Sequence, residues 1–337
     1  YLPHAHATAG IGALPGGAQW YRMLVRSSTT TTLTPKAIHQ LGLKEVARIR
    51  GEMEQVKTKF GFDGGLNAFL KSLEGRPELT PYRSEEEILA VYRALHQRVS
   101  AGLPRLFERA PRAALDVRIV EPIRRVTASD HYVPPAIDGS RPGAFYAVVT
   151  DPAKYRTSKF VALYLHEGQP GHHYHLALQQ EMDLPRFRRN SWYDAFGEGW
   201  ALYAESLGRE LGLYDNDPAA WLGRLLMELH RALRLVVDTG LHDRGWSREQ
   251  AIAYLREREG STEDDARRAI ERYMAWPAQA LSYKVGELKI LQLRERARRR
   301  LGSRFDMRKF HTQVLGDGCM PLEMLEARID RWIAAQG

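Results

Sequence analysis

The sequence predicts a mainly α protein folded as one domain over residues 1–337. Apolar positions recur at helical spacing through most of the chain. Pairs of Ser or Thr with an acid or amide three residues later mark one helix start after another. No linker rich in Pro, Gly or Ser divides the 337 residues, a length that suits one large core.

Thr34-Pro35 supplies a cap and a proline at the first helical position, opening a helix to about residue 59. Ser84 and Glu87 form a capping box, after which Ile88, Val91, Tyr92 and Leu95 share one face. Strand signals are few. Leu115–Val120 alternates weakly, and Ala144–Thr150 is the best strand, between Pro142-Gly143 and Asp151-Pro152. Residues 127–143 read as a loop. Residues 157–182 and 191–213 read as helices, and 218–240 as a long buried one rich in Leu. Ser247 with Gln250 and Thr262 with Asp265 open two more. A helix follows Pro277 to about residue 300, and Pro321 begins the last.

Lys plus Arg number 49 against 41 Asp plus Glu, a net charge of +8. The charges are scattered. The densest run, Arg294 to Arg300, lies just before Gly302, where a helix end favours cations and a glycine stop. No nucleic-acid partner is expected. No run of about 18 apolar residues exists, so no membrane span is expected. The one cysteine, Cys319, excludes an internal disulfide and a cysteine-cluster metal site. Residue 1 is Tyr with no signal-like stretch after it. The chain is therefore expected to lack an N-terminal segment of a longer protein, which leaves cytoplasmic, periplasmic and secreted locations open.

The chemistry concentrates in "HEGQPGHHYH", residues 166–175. His166 beside Glu167, with further histidines downstream, suggests zinc hydrolysis: imidazoles hold the metal and the glutamate takes a proton from the attacking water. The familiar i, i+4 histidine spacing fails, because i+4 is Pro170. In a regular helix His172 would point about 240° from His166, and His173 would share its face but lie about 10 Å further along. The helix cannot be regular, since Pro170 lacks an N–H and its ring strikes the carbonyl of His166. With Gly171 beside it, a bulged turn that swings a later histidine back is expected. Geometry leaves His172 and His173 both open. His175 reads as a structural histidine.

A third ligand is expected from "FGEGWALYAESLG", residues 196–208. Glu198 and Glu205 lie two turns apart on one face, with apolar residues between. Glu198 suits ligation, and Glu205 suits orienting a ligand or binding an arginine.

These two segments, His166-Glu-Gly-Gln-Pro-Gly-His172 and Glu198-Gly-Trp-Ala-Leu-Tyr-Ala-Glu205, resemble the signatures of domain-of-unknown-function family 885. The resemblance extends over nearly the whole chain, including "GALPGGAQWY", "DGSRPGAFYAVVTDP", "PAQALSYKVGELKI" and "LGDGCMPLEMLEARID". That family is similar to zinc peptidases carrying a glutamate ligand on a second helix, such as carboxypeptidases of the angiotensin-converting-enzyme type. The resemblance implies a multi-helix, zincin-like metallopeptidase fold with a small β element near the active site. It also implies Zn2+ on His166, His172 and Glu198, with Glu167 as general base and a peptide as substrate.

Further candidates are less constrained. Tyr283 could donate to the developing oxyanion, and Lys284 beside it could meet a substrate carboxylate, although a buried structural tyrosine fits the same residues. His242, one turn after Asp238, is a second donor candidate or a structural cap. His311 is unassigned. The strand from residue 144 could present an edge to an extended substrate, with Arg141 and Tyr146 near the cleft, or be structural. The expected activity is hydrolysis of short peptides. Rivals are a zinc amidase on a non-peptide amide and a non-catalytic metal-binding module. A di-iron helical oxidase is disfavoured, because these helices hold no Glu-x-x-His.

Overall fold

A computed structural model describes residues 8–336. The structure is mainly helical, 66% helix against 4% strand. Its helices are α1 (Gly17–Thr29), α2 (Pro35–Lys59), α3 (Leu66–Ser72), α4 (Glu85–Gly102), α5 (Phe160–Glu167), α6 (His172–Glu181), α7 (Arg186–Arg189), α8 (Asp194–Ser206), α9 (Pro218–Asp243), α10 (Arg248–Glu259), α11 (Glu263–Ala275), α12 (Ser282–Leu301), α13 (Met307–Leu315) and α14 (Leu322–Ala335). Strands β1 (Leu115–Ile119), β2 (His131–Val133) and β3 (Gly143–Ala147) complete it. No described helix is long and apolar enough to cross a membrane.

The chain groups into two compact units. One runs up to Ser72 and resumes over Leu225–Val285; the other comprises Leu73–Arg224 and Gly286 onward. Sequence could not mark these divisions, because two of them fall inside the continuous helices α9 and α12.

In the first unit, Thr34 accepts from Ala37 N and Pro35 starts α2, which buries Ile38, Gly42, Val46, Ile49, Met53 and Val56 along one stripe. Gly42 is the point of closest approach to α9: a Cβ there would sit 2.7 Å from Leu235 Cβ. Ser247 and Gln250 make a full capping box for α10, and Thr262 caps α11. The unit also buries charge. Lys284, fully buried, lies 2.5 Å from Glu228 and 3.2 Å from Glu45. The expected contact of Lys284 with a substrate carboxylate is therefore corrected: its ammonium is enclosed and already neutralised.

Asp238 does not orient His242. It accepts from the Tyr21 hydroxyl at 2.5 Å and from Ala278 N at 3.1 Å. His242 accepts from Ile11 N at Nδ1 (3.2 Å) and donates from Nε2 to Tyr273 O (3.1 Å). Both ring nitrogens are spent on backbone, so His242 is a structural clamp and not an oxyanion donor. Tyr283 lies under the guanidinium of Arg234, 4.6 Å from its ring centre.

In the second unit the strand order is β1-β3-β2, with β1 parallel and β2 antiparallel to β3. The strand expected to offer an edge is thus the central one, paired on both sides. Its neighbours are also structural. Arg141 donates to the carbonyls of Pro142 and Pro134, and Tyr146 stacks on His131 at 5.1 Å between ring centres. Arg141 and Tyr146, expected near the substrate cleft, make these internal contacts.

Burial pushes the Asp238 carboxyl up to about 7, against the Tyr21 and Ala278 hydrogen bonds that pull it down. A carboxyl whose folded pKa is raised contributes stability that is fully present below its unfolded pKa and lost as pH rises through the folded value. From about pH 4 to pH 7 that loss has a slope of at most about 1.4 kcal/mol per pH unit. Asp238→Asn should remove this slope, read as a smaller fall in urea midpoint between pH 5 and 8 than in the unsubstituted chain.

Candidate metal centre

The second unit builds its site at an interruption. Residues 157–182 do not form one bulged helix. α5 stops at Glu167 and α6 starts at His172, with a non-helical turn between. Gly171 makes this possible. A Cβ there would stand 2.0 Å from His166 O and 2.3 Å from Leu165 O, so only glycine lets the turn fold back on the carbonyl end of α5. The peptide Gln169–Pro170 is cis. Two neighbours fasten the turn: Trp200 Nε1 donates to Pro170 O at 2.8 Å, and Ser100 Oγ donates to Gln169 Oε1 at 3.3 Å. The fold-back sets the His166 and His172 rings perpendicular, 4.9 Å between centres.

α8 brings the carboxylates. Glu198 Oε2 lies 3.6 Å from His166 Nε2 and 3.4 Å from His172 Nε2. Two turns on, Glu205 Oε1 accepts from His166 Nδ1 at 2.8 Å. That bond fixes the tautomer and turns the Nε2 lone pair toward Glu198 and His172. His166, His172 and Glu198 each offer a ligand atom within 4.8 Å of the others. The two short separations suit tetrahedral zinc, whose ligands at about 2.0–2.2 Å lie roughly 3.3–3.6 Å apart.

His173, which geometry had left open, points elsewhere. Its Nδ1 is 2.9 Å from the Tyr132 hydroxyl on β2. His175 packs on Phe196 and bonds Gln179 through Nε2 at 3.2 Å. His311 bridges the Tyr203 hydroxyl and Leu106 O at 2.8 Å each. Tyr283, Lys284 and His242 belong to the other unit.

The electrostatics favour positive charge at the triad. Burial lowers the proton affinity of His166, but hydrogen bonds and charge from Glu198, Glu205 and Glu167 outweigh it and bring its pKa up to about 9. Burial raises Glu198, but the two histidines outweigh it and hold the carboxyl far below its usual range. Glu167 goes the other way: burial raises its pKa and the histidines only partly offset this. It is a carboxylate with more than ordinary appetite for a proton, beside a site that wants a cation.

Three residues that matter escaped sequence reasoning. Trp200 was read as apolar filler, yet its N–H holds the turn. Gln179 donates to Arg188 O, Arg189 O and Ser191 O and accepts from Cys319 N, tying a whole loop to α6. Trp192, on that loop, lies 5.9 Å from the His172 ring. A Trp two residues past a candidate ligand was the available signal for Trp200; a lone buried Gln gives none.

Fold and site together define a helical protein with a His-His-Glu cluster of metal-ligand geometry beside a buried carboxylate. The chain belongs to the family described as Bacterial protein of unknown function (DUF885), whose model matches residues 1–329. It is similar to a protein from Colwellia psychrerythraea described as a lipoprotein, with TM-score 0.95 and 41% identity, over 99% of this chain and 58% of that one. It also shares the fold of a protein from Shewanella oneidensis, described as a lipoprotein of unknown function, with TM-score 0.81 and 20% identity, over 97% of this chain and 61% of that one. The chain thus spans less than two thirds of the length of either. No curated protein shows significant similarity to it.

If the triad holds zinc, His172→Ala should abolish its high-affinity uptake, while His173→Ala should retain it. Glu205→Ala should weaken uptake by roughly 10–100-fold through loss of the His166 tether. Metal titration monitored by competition with a chromogenic chelator checks all three.

Proposed function

We propose that this chain is a zinc-dependent hydrolase of peptide bonds, acting on short peptides, with a zincin-like arrangement of its helices. The single observation behind this reading is the triad His166, His172 and Glu198 with Glu167 next to it in sequence, its proton affinity raised by burial. Bound zinc would lower the pKa of a coordinated water and polarise the substrate carbonyl.

The chain's own residues do the rest. Glu205 holds His166 in one tautomer, so that Nε2 is offered to the metal. Glu198 supplies the negative charge that a dication needs. Glu167 takes a proton from the attacking water as its oxygen bonds to the carbonyl carbon, then gives it to the leaving nitrogen as the C–N bond breaks. A raised pKa suits both halves of that transfer, because the base must hold the proton between the two steps. His242 is spent on backbone and is not the oxyanion donor. The two lipoprotein descriptions among similar structures support an extracytoplasmic setting for this chain as well. A non-peptide amide remains the rival substrate on the same machinery.

Glu167→Gln should keep zinc binding and lose roughly 10²–10⁴-fold in turnover. Stoichiometric zinc with unchanged turnover of a mixed peptide library would sink the general-base role. Faster turnover of small amides than of the library would move the assignment to the rival substrate.

A further inference from the structure

Next to the triad lies an aromatic surface that the proposed chemistry does not use. Trp192 is 39% exposed, yet its ring is held by several contacts. Its Nε1 donates to Asp194 at 2.6 Å. One side of the indole rests near His172 and His175, with ring centres at 5.9 and 6.0 Å. Below it, Gly197 leaves the space the ring occupies: a Cβ there would fall 2.1 Å from the indole edge. The backbone on either side is equally fixed. Ser191 O accepts from Gln179 at 2.9 Å, and Tyr193 N donates to Cys319 Sγ at 3.1 Å. Tyr193 itself is 36% exposed.

Large aromatic rings held partly in water by hydrogen bonds are costly to the free protein, and such fixed apolar surface beside reactive groups marks a ligand pocket. The neighbouring triad is itself open to solvent through Glu198 and His172, whose side chains are 16% and 10% exposed. A ligand reaching those atoms comes within reach of Trp192, whose ring centre lies 5.9 Å from that of His172.

We propose that Trp192 is the wall of a side-chain pocket that selects peptides with an aromatic residue next to the scissile bond. This deepens the hydrolase reading and rests on it. A flat ring stacks on the indole in offset or edge geometry and covers most of its free area; a methyl group covers little and gains no ring–ring attraction. Because the indole is already immobilised, little ordering is lost when a partner stacks on it. Asp194 acts through Trp192 and is a positioning residue: it sets the rotation of the indole and touches no substrate.

The test compares two ligand pairs on the full chain. With zinc loaded, hydroxamates of phenylalanine and alanine peptides probe the pocket beside the metal. Without metal, N-acetyl-phenylalanine amide and N-acetyl-alanine amide probe the stacking surface alone. By calorimetry the aromatic member should bind roughly tenfold tighter in both pairs. Trp192→Phe should keep most of that ratio, and Trp192→Ala should bring it close to one with zinc stoichiometry unchanged. Equal affinities in the unsubstituted chain, or a ratio that survives Trp192→Ala, would overturn the proposal. Failure of zinc uptake with the metal-free contrast intact would sink the hydrolase reading and leave the aromatic pocket standing.

Discussion

The arrangement depends on one steric allowance: a backbone without a Cβ at position 171, lying against the last carbonyls of α5. Any side chain there meets His166 O and Leu165 O at about half a normal contact distance. With the allowance, the chain reverses within four residues, and the two imidazoles stand perpendicular, 3.6 and 3.4 Å from a common carboxylate oxygen. Without it, α5 and α6 would have to separate, and His172 would leave Glu198. Proline alone would only have ended the helix. Ending it in a tight return is the work of glycine, and the N–H of Trp200 keeps the return in place.

The two units treat buried carboxylates in opposite ways. In the first, Glu45 and Glu228 are met by Lys284 and Arg48, so the charges cancel among side chains. In the second, Glu198 is met by two imidazoles, which carry positive charge only when protonated. The proton affinity of His166 rises as a result. A cluster that draws positive charge, built from groups that also bind soft and borderline metals, would be a site of competition between a proton and any metal ion that binds. The lysine cluster offers no such competition.

What the sequence made legible was local. Thr34, Ser247 and Thr262 cap the helices expected of them, because a cap is settled within four residues. Glu198 and Glu205 share a face because helical period alone says so. Arg298 to Arg300 do close a helix, as their place before Gly302 suggests. What was hidden was set by distant partners. The central position of β3 depends on β2, drawn from a stretch that reads as loop. Lys284 and His242 looked reactive until Glu45, Glu228, Ile11 and Tyr273 were seen to occupy them. The full break at residues 168–171, in place of a bulge, follows from contacts with α4 and α8 that no window of the sequence contains.

His166 spans two turns of a neighbouring rod, one ring nitrogen facing Glu198 and the other gripping Glu205. Seven residues separate these carboxylates, and one residue more or fewer would rotate the second by about 100° out of reach. The stretch from 198 to 205 therefore behaves as a gauge of fixed length. Descendants of this gene can trade its apolar filler for residues of similar bulk, but a single-codon insertion or deletion inside it would uncouple the imidazole in one step.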